Sequence, residues 1–181
     1  MTEPKSFRIV QELGECIAAA LAETSSGEPD RVCVIVPGQI AWDKCECGQL
    51  ALTVNKFYWA RDATLAQASD FGGASDCGLP YLVMDVTISI VRCAPVGDVK
   101  KNLAPGCDEL LAAALVWHED AQAVRIGAGC CLKAMENEND ILAFAMVDQP
   151  AKGPDGACVG SDLNVKIGLP NCLCPSTSSR S

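Results

Sequence analysis

Twelve cysteines and a single histidine are the residues of this chain best suited to chemistry, and their spacing decides what chemistry is open to them. Cys45-x-Cys47 and Cys172-x-Cys174 would supply four thiolates to a zinc ion if the C-terminal end folded back on the corner after Trp42. Structural zinc hooks carry two or more residues between their cysteines, so a metal is not expected here. Cys130 and Cys131 are adjacent, whereas thiol-exchange enzymes use Cys-x-x-Cys, which the sequence lacks. Cys16, Cys33, Cys93 and Cys131 fall inside apolar, periodic stretches and read as small buried side chains. Cys77, Cys107 and Cys158 fall in expected loops and are the candidates for disulfides formed once the protein leaves a reducing compartment.

His118 stands in Val116-Trp-His-Glu-Asp120. Consecutive residues on a helix point in different directions, so His118, Glu119 and Asp120 do not form a relay by adjacency, and His118 reads as a solvated or interface residue. The sequence has no Gly-x-Ser-x-Gly elbow, Walker loop, dinucleotide fingerprint or His-Glu-x-x-His. Gly72-Gly73 and the pair Gly127 and Gly129 lack the strand-to-helix setting in which glycines cradle phosphate. No catalytic residue, cofactor or metal is therefore expected. Tyr58, Trp59 and Phe71 flank a long loop and are candidate contact residues, since aromatics are favoured at protein interfaces.

The elements that must carry these residues follow from hydrophobic period. Phe7, Val10, Gly14, Ile17 and Leu21 predict a helix from about Lys5 to Glu23, started by Pro4 and stopped by Gly27. Arg31 to Val36 is short, β-branched and ended by Pro37-Gly38, a buried strand that Ile40 to Trp42 extend past the turn. Leu50, Leu52 and Val54 alternate with polar or small residues in a strand running on to Trp59. Asp62 to Pro80 loses all period and is longer than most loops in compact domains, which suits a binding loop.

From Tyr81 to Cys93, Leu82, Met84, Val86, Ile88 and Ile90 face one way while Asp85, Thr87 and Ser89 face the other. Such one-sided strands belong to an antiparallel sheet covered on one face. A polar connection from Pro95 to Pro105 leads to a second helix, Asp108 to about Met135, with Gly127 and Gly129 expected to kink or divide it. Strands follow at Ile141–Val147 and Leu163–Leu169, separated by the turn Gly153-Pro-Asp-Gly156. The expected class is α+β: an antiparallel sheet of four to five strands with two helices packed on one face. Residues 1–169 form one domain in this reading, and 170–181 a flexible C-terminal tail.

Bulk properties narrow the function. A net charge of -9 argues against a surface that grips nucleic acid, because such grip comes from Lys and Arg on phosphates. An acidic lining would instead let DNA slide past. Residues 1–6 lack a secretory signal pattern, and no apolar run approaches the roughly 20 residues that span a bilayer, so cytoplasmic production without membrane insertion is expected.

Several segments in this order resemble actinobacteriophage virion proteins of the head-to-tail joint. They are Asp30-Arg-Val-Cys-Val-Ile-Val-Pro-Gly38 after the first helix, Ile40-Ala-Trp-Asp43 with Cys45-Glu-Cys-Gly-Gln-Leu50, and Val86-Thr-Ile-Ser-Ile-Val-Arg-Cys-Ala-Pro95. The Cys130-Cys131 pair and Gly153-Pro-Asp-Gly-Ala-Cys-Val-Gly160 complete the set. The resemblance implies a structural neck protein with no catalytic residues. The order helix, strands, helix, strands is most similar to tail terminators, subunits of a hexameric ring capping the tail tube. It implies as partners other copies of the chain, the major tail tube protein and the head-completion or connector proteins. DNA would pass through the ring without sequence-specific binding, and the location would be the neck of the virion after assembly in the host cytoplasm. Another neck component, a stopper or adaptor, is the near alternative. A small cysteine-rich zinc or redox protein is the alternative of a different class, and near-stoichiometric zinc in the purified protein would mark it.

Overall fold

The computed structural model describes residues 3–35, 48–68, 81–97, 104–155 and 157–170. Phe71, Cys77, both Cys-x-Cys pairs and nearly all of the expected tail lie outside them. In chain order the elements are α1 (Lys5–Ala22), β1 (Arg31–Ile35), β2 (Gln49–Ala60), β3 (Tyr81–Cys93), α2 (Cys107–Asn137), β4 (Ala143–Asp148), β5 (Ala151–Asp155) and β6 (Cys158–Pro170). The strands form one sheet in the order β1-β2-β3-β6-β4, with β5 pairing β6 off that path. The class is α+β, as the patterning predicts, with six strands among the described residues where four to five are expected.

Two departures from the expected sheet have local causes. β1 runs parallel to β2, from Arg31 opposite Gln49 to Ile35 opposite Thr53, while the other pairings are antiparallel. A five-residue strand with so little alternation carries no signal of direction, which only the intervening connection decides. β5 occupies the expected turn, because Ala151 and Lys152 fold back onto Ser161 and Gly160 of an unexpectedly early β6.

α1 buries Ile9, Val10, Leu13, Gly14, Ile17, Ala18 and Leu21, spacings of three and four that make one apolar stripe. It ends where Thr24 turns back, its backbone N–H and its hydroxyl both donating to the Leu21 carbonyl, at 3.0 and 2.8 Å. α2 opens with Gly106 N–H donating to the Glu109 carboxylate at 3.0 Å, and Asp108 and Glu109 sit where the helix dipole favours negative charge. The two helices run antiparallel and share one core with Leu50, Leu52, Met84, Val86, Ile88, Ile90, Leu163, Val165, Ile167 and Leu169 from one face of the sheet.

α2 is not divided at Gly127 and Gly129; it is one helix of 31 residues. Gly127 serves the helix crossing instead. A Cβ there would lie 2.9 Å from the Ala20 Cβ and 3.3 Å from the Ile17 Cα, so its missing side chain is what lets α1 approach.

β2 contains a bulge between Val54 and Lys56. Before it, Leu50, Leu52 and Val54 face the helices; after it, Phe57 opposite Met84 and Trp59 opposite Leu82 take over that face. An extra residue in a strand inverts everything beyond it. Tyr58 is thereby turned to the other face, into a second core with Ala60, Leu65, Val83 and Ala143. Across the middle of that second face runs a polar ladder joining four strands. Asn55 donates to Thr87 at 2.8 Å, Thr87 to Asn164 at 2.8 Å, and Asn164 to Asp148 at 2.7 Å.

Candidate functional site

Among the described residues, a cluster of buried charged and polar groups lies where the turn after α1, the start of β2, the end of β3 and the middle of α2 meet. Arg92 shares the helix-facing side of β3 with Ile88 and Ile90, so its charge is carried into the core, where only 8% of the residue stays exposed. Its Nε donates to Asp120 at 2.7 Å, and an Nη donates to the Gly27 carbonyl at 2.6 Å. Asp120 is 2% exposed and also accepts from the Ser26 hydroxyl at 2.7 Å and the Thr24 hydroxyl at 3.2 Å. Gly48, at φ +125°, leaves room for the guanidinium, since a Cβ there would stand 2.6 Å from an Arg92 nitrogen.

The neighbours of Asp120 diverge as helical geometry requires. Glu119 accepts from the Ser25 backbone N–H at 3.2 Å and from its hydroxyl. His118 is exposed, its ring edge-on to Trp117 at 4.9 Å. Trp117 donates from its indole to the Gly160 carbonyl at 2.8 Å, beside a cavity of about 10 Å³, the room of a single water. Ile90, Arg92, Ala113, Val116, Asp120 and Val159 are among the other residues that line it. Every buried side-chain nitrogen and oxygen among the described residues has a partner. The cluster thus commits its charge internally and acts as a lock between helices and sheet.

The cysteines separate into unlike groups. Cys16 and Cys131, read from the sequence as unpaired core thiols, form a disulfide with Cα atoms 6.2 Å apart. Close approach at Gly127 brings facing positions of the two helices into bonding range one turn further on. Cys158 is buried in β6 rather than in a loop, and it too is disulfide-bonded. Cys107 is a free thiol on the first, exposed residue of α2. Cys33 is half-buried, and Cys93 and Cys130 are exposed. No group of three or more His, Cys, Asp or Glu among the described residues is placed to hold a metal ion.

The candidate contact aromatics are split by the β2 bulge. Tyr58 is only 4% exposed and its hydroxyl donates to the Leu65 carbonyl at 2.8 Å, which removes it from any docking surface. Burial, then the Asp85 carboxylate, push the Tyr58 phenol above its ordinary value of 10.0. The folded chain therefore holds this proton more tightly than the unfolded chain. The resulting stability is complete below pH 10 and falls away as pH rises through the folded value. Absorbance titration of a Tyr81→Phe protein, which keeps Tyr58 as its one tyrosine, should show phenolate appearing later in the folded state than in denaturant. Coincident titrations would refute this placement of Tyr58.

Trp59 remains half-exposed, and Phe57, which the sequence reading passed over, is 50% exposed beside it. The chain matches no protein-family model and no curated protein. Function has to be drawn from its own surfaces, and two of the apolar ones stand at opposite ends of the sheet.

The first is the start of α2. Nothing on this helix is fully buried before Asp120, and its opening turns stand largely clear of the core, held to it through Ala113, Val116 and Trp117. Those turns carry Leu110, Leu111 and Leu115, with Leu111 70% and Leu115 58% exposed. The second is the ledge of Phe57 and Trp59 at the opposite end of the sheet. Contiguous exposed apolar side chains on a folded chain mark contact surfaces. Among the described residues, no helix is long and apolar enough to cross a membrane.

Proposed function

We propose that this chain is a structural subunit of a phage neck, a tail terminator whose copies form a ring that caps the tail tube and joins it to the head connector. The observation that carries this reading is architectural. Helix, three strands, helix and three strands fold into one sheet with both helices sharing a core on one of its faces, the arrangement that the resemblance to tail terminators leads one to expect. Two further features support it. The Cys16–Cys131 bridge suits a particle that ends outside the reducing cytoplasm, and a net charge of -9 suits a lining past which DNA slides.

In this reading the chain positions other proteins and leaves DNA unbound. Gold-labelled antibody against the chain, applied to purified particles, should label one point between head and tail. Particles that lack the chain, or that carry label along the tail, would overturn the reading. Label at the neck combined with binding to isolated portal and none to tail tubes would reassign it to an adaptor.

A further inference from the structure

On the sheet face away from the helices, the row of paired residues along β3 and β6 ends in two cysteines. Thr87 faces Asn164, Ser89 faces Asp162, Val91 faces Gly160, and the last pair is Cys93 with Cys158. Side chains in this row reach one another: Thr87 donates to Asn164 at 2.8 Å and Ser89 to Asp162 at 2.5 Å. Just past the strand end the Ala94 N–H donates to the Ala157 carbonyl at 2.6 Å, so those two residues are a hydrogen-bonded pair. Cys93 with Cys158 is then the non-hydrogen-bonded pair beside it. In such pairs the Cα atoms stand about 4.5 Å apart, inside the range that a disulfide spans. Gly160 keeps the strands close at this end, since a Cβ there would collide with the Ile90 carbonyl oxygen.

The two sulfurs are in different chemical states. Cys93 carries a thiol and is exposed where β3 ends. Cys158 is 1% exposed and already disulfide-bonded. Its partner is none of the described cysteines, because Cys16 and Cys131 are joined to each other while Cys33, Cys93, Cys107 and Cys130 carry thiols. A thiol with water beside it to accept its proton thus stands within bonding reach of a buried disulfide sulfur.

We propose that Cys93 is the exchange thiol of the Cys158 disulfide, so that Cys158 alternates between two bridges. The Cys93 thiol gives its proton to water, and the thiolate attacks the Cys158 Sγ. A bond forms between the Cys93 and Cys158 sulfurs as the present bond of Cys158 breaks, and the departing sulfur takes the electron pair and then a proton. Cys93 is oxidised and the departing cysteine is reduced by the same amount. One disulfide and one thiol exist before and after, so no outside oxidant or reductant enters. The two bridges differ in what they restrain. β3 and β6 are already paired along their length, so a Cys93–Cys158 bond adds a staple where the strands meet anyway, whereas the present bond ties β6 to a residue outside the described ones. Exchange trades that tie for a local staple and moves the reactive thiol from β3 to the second residue. The inference goes beyond the neck reading and does not depend on it.

Peptide mapping of the full chain reads the exchange directly, because trypsin places Cys93 on residues 93–100 and Cys158 on residues 153–166. Oxidised, folded protein is held without added thiol, and its thiols are capped with N-ethylmaleimide at intervals before digestion. In the parent these two peptides should be joined in part, with the rest of Cys158 in its original bridge. Approach to that ratio should be first order, independent of protein concentration, and faster at about pH 8.5 than at about pH 6.5, since the thiolate is the attacking form. The total of capped thiols should stay constant throughout. Cys93→Ser should abolish the joined pair and keep Cys158 wholly in its original bridge, with an unchanged circular dichroism spectrum because the side chain is exposed. Cys107→Ser, which removes an exposed thiol elsewhere, should leave the ratio and rate as they are. A parent in which the two peptides never join, join only in denaturant, or join at a rate that scales with protein concentration would overturn the proposal. So would a parent that holds Cys93–Cys158 as its one bridge at Cys158, or a Cys93→Ser protein that loses the original bridge as fast as the parent.

Discussion

An Asp120→Ala protein is expected to be about 3–5 kcal/mol less stable than its parent, which for a chain of this size lowers the melting temperature by roughly 10 °C. The loss would not come from the ion pair as an attraction added to a finished fold. Two charges removed from water lose hydration of a size comparable to what their mutual attraction returns, so an intact buried pair adds little net stability. Removing one partner is different. The Arg92 guanidinium, its side chain 9% exposed, would keep one bond to the Gly27 carbonyl and lose the carboxylate that neutralises it. The hydroxyls of Thr24 and Ser26 would lose an acceptor in the same step.

Chemical denaturation of three proteins separates these effects. Asp120→Ala alone should fall furthest, and Arg92→Met with Asp120→Leu should recover much of the loss, because the apolar pair leaves no buried charge uncompensated. A double variant as unstable as the single one would show that the stabilisation resides in the pair and not in avoiding an orphan charge.

Arg92 also shows what in this fold was open to reading from the sequence. Met84, Val86, Ile88, Ile90 and Arg92 share one parity of β3, and an arginine on a buried parity implies a buried anion. The sequence therefore contained the signal for the lock, although the identity of Asp120 as the anion depended on a helix crossing that no local pattern encodes. Long amphipathic elements such as α1, β3 and the second half of α2 were legible because their burial is repeated many times. The bulge in β2 was not, since one inserted residue at Asn55 leaves the run apolar enough to read straight through while exchanging Tyr58 for Phe57 on the helix-facing side.

Gly127 was misread for a related reason. Propensity treats a glycine inside a helix as a weakness, and here the absence of a side chain is what the partner helix requires. The exposure at the start of α2 was not legible either, because Leu111 and Leu115 fit the apolar side of an amphipathic helix, and period reports which residues share a face without reporting whether anything covers it.

The second large effect belongs to Cys16 and Cys131. Replacing both by serine should cost about 3 kcal/mol and lower the melting temperature by roughly 10 °C, because the bridge closes a long loop. Its ends are separated by 115 positions, so the cross-link removes far more freedom from the unfolded chain than a local one would. The bridge joins α1 to α2 near the Gly127 crossing, where the helices already meet, and cutting it should leave the native arrangement in place. Circular dichroism at low temperature should therefore be unchanged while the denaturation midpoint falls, and a reductant, which also opens the Cys158 disulfide, should lower the midpoint of the parent chain by at least as much. The reductant should do nothing further to this bridge in the double-serine protein. Equal midpoints for parent and variant under oxidising conditions would show that the thiols are not joined in the folded chain.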